Sequence, residues 1–384
     1  MKIIKGFIGM MIVGYLLTIH TYASDIDQVI SAQEKVIAYD DIQHTMDELL
    51  RDSQVTIDFR ETLHQIIKGE LAMDANELLE ILMKSIFNEV KVNFHLIVQL
   101  IAIALVAAIF TNFTNAFKQQ YVGDVGYFVV FLLMSTIIMK SYQILSQVTV
   151  DVLISLQNFI RTLMPSLFAA ATLSGNYTSS LLFSQIILVI ISIVDNIIIR
   201  YVIPFVYIII VLEIINSITE ESILSKMVEL FKSIVSMSIK VLMIIFVGAL
   251  TMQSFTTPVI DGIANKSVKV AVSAIPFVGA TLSGVADTVL GCAVLIKNGI
   301  GVVALIVIVI ICLIPIIKIV IVTLLYKFAA AIIQPISDKR LVTCLSSVGD
   351  VCFILLGIVV ITAFLFIIAI TITLSATNVA AYMR

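Results

Sequence analysis

The sequence predicts an all-α, polytopic helical membrane protein, and three observations carry that prediction. Of 384 residues, 60% are hydrophobic and 13% charged, against roughly 45–50% and about 25% in soluble domains. Mean hydropathy is +1.13. Apolar stretches of span length recur along the chain, and a lipid span needs about 20 such residues. The expected architecture is an N-terminal signal peptide, a small exported helical head and roughly seven to eight membrane segments, one of them re-entrant or broken.

Residues 1–23 read as a secretory signal. Lys2 and Lys5 form its basic start, Ile8 to Leu17 its apolar core, and Thr21-Tyr22-Ala23 a small-residue exit. Retention as an uncleaved first anchor is the competing reading. Either way, residues 24–92 are expected to be exported. That segment holds 15 acidic and 6 basic residues, so a net charge of −3 hides an acidic head before a weakly basic body. Helical spacing recurs in it at Ile42, Met46, Leu49 and Leu50, and at Leu63, Ile66 and Ile67. Asp74 and Glu77 match a capping box for a further helix whose apolar stripe runs from Leu78 to Phe87.

A first group of transmembrane helices is expected within 93–218, at Phe94–Phe113, Val125–Val148, Val152–Leu173, Ser180–Ile199 and Tyr201–Ile218. The third of these carries Asp151, Gln157, Asn158 and Arg161 before Pro165, which leaves a bent span or an interfacial helix open. Residues 219–240 read as an amphipathic interfacial helix with Ile223, Met227, Leu230, Phe231 and Ile234 on one side. The second group covers 241–384 and includes a span near Val241–Phe255, a re-entrant or broken element over 258–336, and a final span near Val351–Leu374. With the head exported and every segment crossing, 219–240 and 338–350 fall in the cytoplasm, in accord with the positive-inside tendency of Lys226, Lys232, Lys240, Lys339 and Arg340. Lys266, Lys269 and Lys297 count against that arrangement.

The central element is the most distinctive stretch. From Gly299 to Ile336 its only charges are Lys318 and Lys327, and the run is too long for one upright helix in a bilayer. Pro315 sits near its middle, where a missing donor and a ring clash predict a kink, break or reversal. Ala280, Gly284 and Thr288 recur every four residues as a small-residue packing stripe. Intramembrane polar groups are functional candidates by default. Asp287, Lys297, Asn298, Pro315, Lys318 and Glu213 are therefore the candidate pore and packing residues. For Lys318 the rival role is to end one short span and begin the next; Asp195 and Arg200 read more simply as reaching an interface.

No metal-ligand spacing, P-loop or nucleophile motif is present, so no catalytic, cofactor or metal site is expected, and the scattered bases leave no nucleic-acid footprint. The four cysteines lie in or near apolar helices and read as packing residues. From the residues alone three readings compete: a component of a membrane conduit, a secondary transporter for a small solute, and a membrane-embedded enzyme. Two matching halves, each with an interrupted segment, would favour the transporter; only one such segment stands out.

One block resolves the choice. Asp287-Thr288, Leu295 to Asn298 with Gly301, Pro315 with Lys318, and Tyr326 to Pro335 occur in an order that resembles the stage III sporulation protein AE family of spore-forming Firmicutes. The resemblance implies a polytopic core of a secretion-like channel complex connecting mother cell and forespore, needed for late forespore gene expression. It implies a place in the mother-cell-derived outer forespore membrane. The implied partners are other stage III sporulation proteins (a secretion-type ATPase, ring-forming subunits, small membrane subunits) and a forespore protein across the intermembrane space.

Overall fold

The structure is a computed structural model that describes residues 37–51, 55–69, 75–117, 120–174, 177–218, 223–273 and 279–382, with side chains of 70–78, 110–124, 175–184, 254, 256–289 and 376–384 outside the description. The signal segment 1–23, the capping pair Asp74 and Glu77, and the stripe of Ala280, Gly284 and Thr288 lie outside the described side chains. All regular structure among the described residues is helical. The elements are α1 (Tyr39–Leu50), α2 (Phe59–Ile67), α3 (Ala75–Phe117), α4 (Gln120–Leu173), α5 (Tyr177–Ile197), α6 (Ile203–Asn216), α7 (Ser225–Ser273), α8 (Gly279–Ile333) and α9 (Lys339–Tyr382). Helices alone satisfy their backbone groups within one segment, which is what lipid demands. Among the described residues, six stretches are long and apolar enough to cross a membrane: Leu79–Ile109, Val125–Leu173, Gln185–Asn216, Ser225–Gln253, Leu290–Ile333 and Lys339–Ser375.

Several segments separated in the sequence reading are continuous. Val125–Val148 and Val152–Leu173 are one helix, because Asp151 points outward and costs the backbone nothing. Ser180–Ile199 and Tyr201–Ile218 are one run, joined by a π-turn over Ile198–Val202. Pro204, at the start of α6, cannot donate to the turn before it, and widening the turn absorbs the defect. The helix also runs unbroken through Pro315, so the expected interruption there is a proline inside a continuous α8. From Ser225 on, the segment expected to lie on the membrane surface continues directly into the following span within α7. Its buried side is Val228, Val235, Leu242, Phe246 and Leu250, while Met227, Leu230 and Ile234 face outward.

The head is small but seated. Ile42, Met46 and Leu50 on α1 and Leu63 on α2 are buried as the apolar spacing predicts, while Leu49, Ile66 and Ile67 are half-buried and Phe59 joins the buried set. Asp58 caps α2 by accepting from the Glu61 backbone N–H at 2.8 Å. The Gln43 amide ties the two helices together, donating to the Ile57 carbonyl at 2.9 Å and accepting from the Phe59 N–H at 2.8 Å. The head docks on α4 and α8: the Ala38 N–H donates to the Ser166 hydroxyl at 3.2 Å, and Leu63 lies over Gly299. A Cβ at Gly299 would sit 2.5 Å from Leu63 Cδ1.

At the opposite end of the bundle, the α8–α9 connection packs beneath α4. The Arg340 guanidinium stacks 3.9 Å from the Tyr127 ring centroid and forks onto Asp338. Burial raises the Asp338 carboxyl pKa, but the Arg340 hydrogen bonds and charge outweigh this and hold it below its ordinary value. Ser166 and Tyr127 are separated by about 39 residues of one helix, about 58 Å at 1.5 Å per residue. α8 and α9 run antiparallel through the centre, and Gly301 lets them close: a Cβ there would collide with the Leu374 side chain. Buried Thr149, Thr323 and Thr373 donate to carbonyls one turn back, so their hydroxyls cost little inside the bundle.

Gly301→Ala should lower the stability of the detergent-solubilised protein by about 1–3 kcal/mol through overpacking. Adding Leu374→Ala should recover part of that loss. Unfolding midpoints of the two single variants and the double variant check this; simple additivity would mean that the two residues do not meet.

Candidate functional site

Pro315 and Lys318 do come together with other polar groups. They line a cleft of about 620 Å³ where the end of α1 meets α3, α4 and α8. Leu49, Leu50, Val152 and Ile311 supply apolar wall; Lys84, Asn88, Glu89, Asp151 and Lys318 supply the polar groups. Pro315 has no N–H to give to the carbonyl of Ile311 one turn earlier, and both residues border the cleft. Around it, Lys84 pairs with Glu80 at 2.6 Å. Glu89, which is buried, accepts from the Asn93 amide at 2.9 Å, and Asp151 accepts from the Gln147 amide at 2.7 Å. Lys318 is half-buried and makes no ion pair among the described residues. The cleft therefore presents one unpaired cation at the junction of head and bundle, with carboxylates on its opposite wall.

The other candidates lie elsewhere. Lys297 is fully buried, on the part of α8 that carries the head, and Asn298 beside it is half-buried. Their neighbour Gly299 takes Leu63, so the Lys297–Gly301 motif is a seat for the head and for α9. Glu213 is buried on α6 and accepts from Lys232 Nζ of α7 at 2.6 Å, near the end that carries Asp338. Its partner is thus Lys232 rather than a charge of the central element. Asp195 is buried, its Oδ2 without a hydrogen-bond partner, just before the π-turn, whereas Arg200 is exposed. The side chain of Asp287 lies outside the described residues. All four cysteines are buried and free.

The sequence reading did not connect Lys84, Asn88 and Glu89 to Lys318, because they belong to the head segment and lie far away in the chain. Asp151 was noted only as a weakness in a span. The available signal was its place in a polar series on one side of α4, which includes Lys140, Gln143 and Gln147.

A long helical bundle with six candidate spans, a docked N-terminal head and a polar cleft between them defines a polytopic α-helical membrane protein. The chain belongs to the stage III sporulation protein AE family, whose family model matches residues 57–377, and its role is in sporulation. It is similar to stage III sporulation protein AE of Bacillus subtilis (strain 168), with 26% identity over 347 residues that cover 90% of this chain and 86% of that protein. No solved structure matches the chain.

The buried ion pair yields an asymmetric prediction. Lys232→Ala leaves the Glu213 carboxylate buried and unpaired and should cost about 3–5 kcal/mol. Glu213→Gln should cost less, because the Lys232 side chain is 34% exposed and can turn to water. Thermal unfolding of both variants in detergent checks the order; equal losses would show that the carboxylate is not enclosed.

Proposed function

We propose that this protein is a polytopic component of a secretion-like channel complex that connects mother cell and forespore, needed for late forespore gene expression, and that it acts without catalytic chemistry of its own. The observation that carries this reading is the length of the bundle. Head contact and α8–α9 connection are about 58 Å apart along α4, whereas a bilayer core is about 30 Å thick. An upright bundle is therefore longer than the bilayer core. The head at one end of it presents Asp40, Asp41, Glu48 and Arg51 outward. A bundle that outreaches the lipid suits a subunit that meets partners across an intermembrane space.

In this reading the protein sits in the mother-cell-derived outer forespore membrane. The head faces ring-forming subunits and a forespore partner, while the Asp338–Arg340 turn faces the secretion-type ATPase and small membrane subunits. Lys318 and Pro315 lie where the end of α1 meets the bundle. The transporter alternative gains nothing from the fold. A repeat would make α7, α8 and α9 copy α3, α4 and the α5–α6 run, yet α7 packs on α9, α6 and α5 and barely on α8, whereas α3 packs on α4 and α8.

Lys318→Ala and Pro315→Ala should leave the protein inserted and at normal abundance while blocking late forespore gene expression, read with a forespore reporter. Normal spores from both variants would reduce the cleft to a structural joint. Cysteines placed at Asp47 and Lys339 should react with a membrane-impermeant maleimide from opposite sides, and same-side labelling would overturn the orientation.

A further inference from the structure

The exposed side of α4 changes chemistry along its length. Near its start it presents Val125, Phe128, Val129, Leu132 and Leu133, a surface suited to lipid. One turn further on, Thr136, Lys140, Gln143, Gln147 and Asp151 are exposed, with Ile144 at their edge. Steps of four, three, four and four residues hold these five within an arc of about 80° on a helix of 3.6 residues per turn. They lie within the candidate span Val125–Leu173, and wherever that stretch meets lipid an ionisable group is costly and turns to protein or water. Lys140 makes no ion pair among the described residues.

A second exposed polar patch occurs at the same height on another side of the molecule. Ser141 and Tyr142 of α4 pack against Tyr326 and Cys352, which brings Lys140 level with Lys327 on α8 and Asp350 on α9. There Lys327 Nζ donates to Asp350 Oδ1 at 2.6 Å and to the Ser346 hydroxyl at 3.1 Å. The pair stays open, the two side chains 39% and 59% exposed, and Asp350 engages one carboxylate oxygen only. Within one chain Lys140 and Asp350 do not meet.

An unpaired cation on one side and a half-engaged carboxylate on another, at one depth, are complementary surfaces for a second copy of this chain. We propose that copies associate side by side in the membrane through Lys140 of one chain and Asp350 of the next, with Gln143 and Gln147 lining a water-filled seam beside that contact. The contact joins two different faces, so it is heterologous and closes into a ring when the rotation between copies allows. Lys140 of one chain then meets a carboxylate that its own chain does not offer it among the described residues. The inference deepens the conduit reading and rests on it, since it supplies a polar wall that no single chain encloses.

The test uses the full chain carrying Lys140→Cys and Asp350→Cys, produced in membranes of a non-sporulating bacterium and treated with a short bis-maleimide. A ladder of dimers and larger species on a denaturing gel is expected. Without the cysteine substitutions, the chain should give high-mass species by light scattering in detergent, Lys140→Asp or Asp350→Lys alone should abolish them, and the two together should restore them. Monomers only, a bridge within one chain, or an equal ladder from Lys140→Cys alone would each overturn the proposal. No sporulation partner is present in that host, so failure there leaves the sporulation role standing. Normal late forespore gene expression in cells lacking this protein would instead sink the conduit reading while leaving copy-to-copy contact intact.

Discussion

Close approach along α8 organises the rest of the molecule. Two glycines in its first half remove the side chains that would hold α2 and α9 away, and Leu63 and Leu374 occupy the space at Gly299 and Gly301. Further along, α8 packs against α3, α4 and α9, and its buried Val303, Ala304, Val307 and Ile308 form the middle of the core. In a lipid environment no hydrophobic force drives helix on helix, so fit of this kind has to supply the cohesion. A head of two short helices could not bury much surface alone. Docked on the glycine face, it becomes part of the bundle.

Helix length is the second constraint, and it links packing to function. α4, α8 and α9 are 54, 55 and 44 residues long, each well beyond what a bilayer core of about 30 Å accommodates. The polar cleft falls where the head's first helix ends against the bundle. An unpaired lysine, a proline that frees a carbonyl and two carboxylates meet at that joint.

Charge placement separates the surfaces. Glu213 and Lys232 neutralise one another at the end that carries Asp338, and Arg340 is held by both Asp338 and Tyr127. That end is stitched. The side of α4 beyond Leu133 is different, because its polar groups project outward with few partners of their own. An uncompensated lysine in an apolar protein marks a place where another surface is expected.

Much of this was legible in the amino-acid order. Composition and runs of apolar residues determined the helical membrane class, and helical spacing picked out the buried faces of α1 and α2, since burial of an amphipathic face needs only local periodicity. The Lys297–Gly301 motif and Pro315 with Lys318 stood out for the same local reason: glycine, proline and charge are unusual within an apolar run. Only the tertiary structure decided what those residues touch. Whether a proline breaks a helix depends on whether neighbouring helices hold both sides of it in line, and around Pro315 they do. Pairing is likewise a property of distance in space, so Glu213 finds Lys232, while Lys318 faces groups more than 150 positions away. Period and composition are written along the chain, but the partner of a buried charge and the depth of a long helix emerge only when six such helices pack side by side.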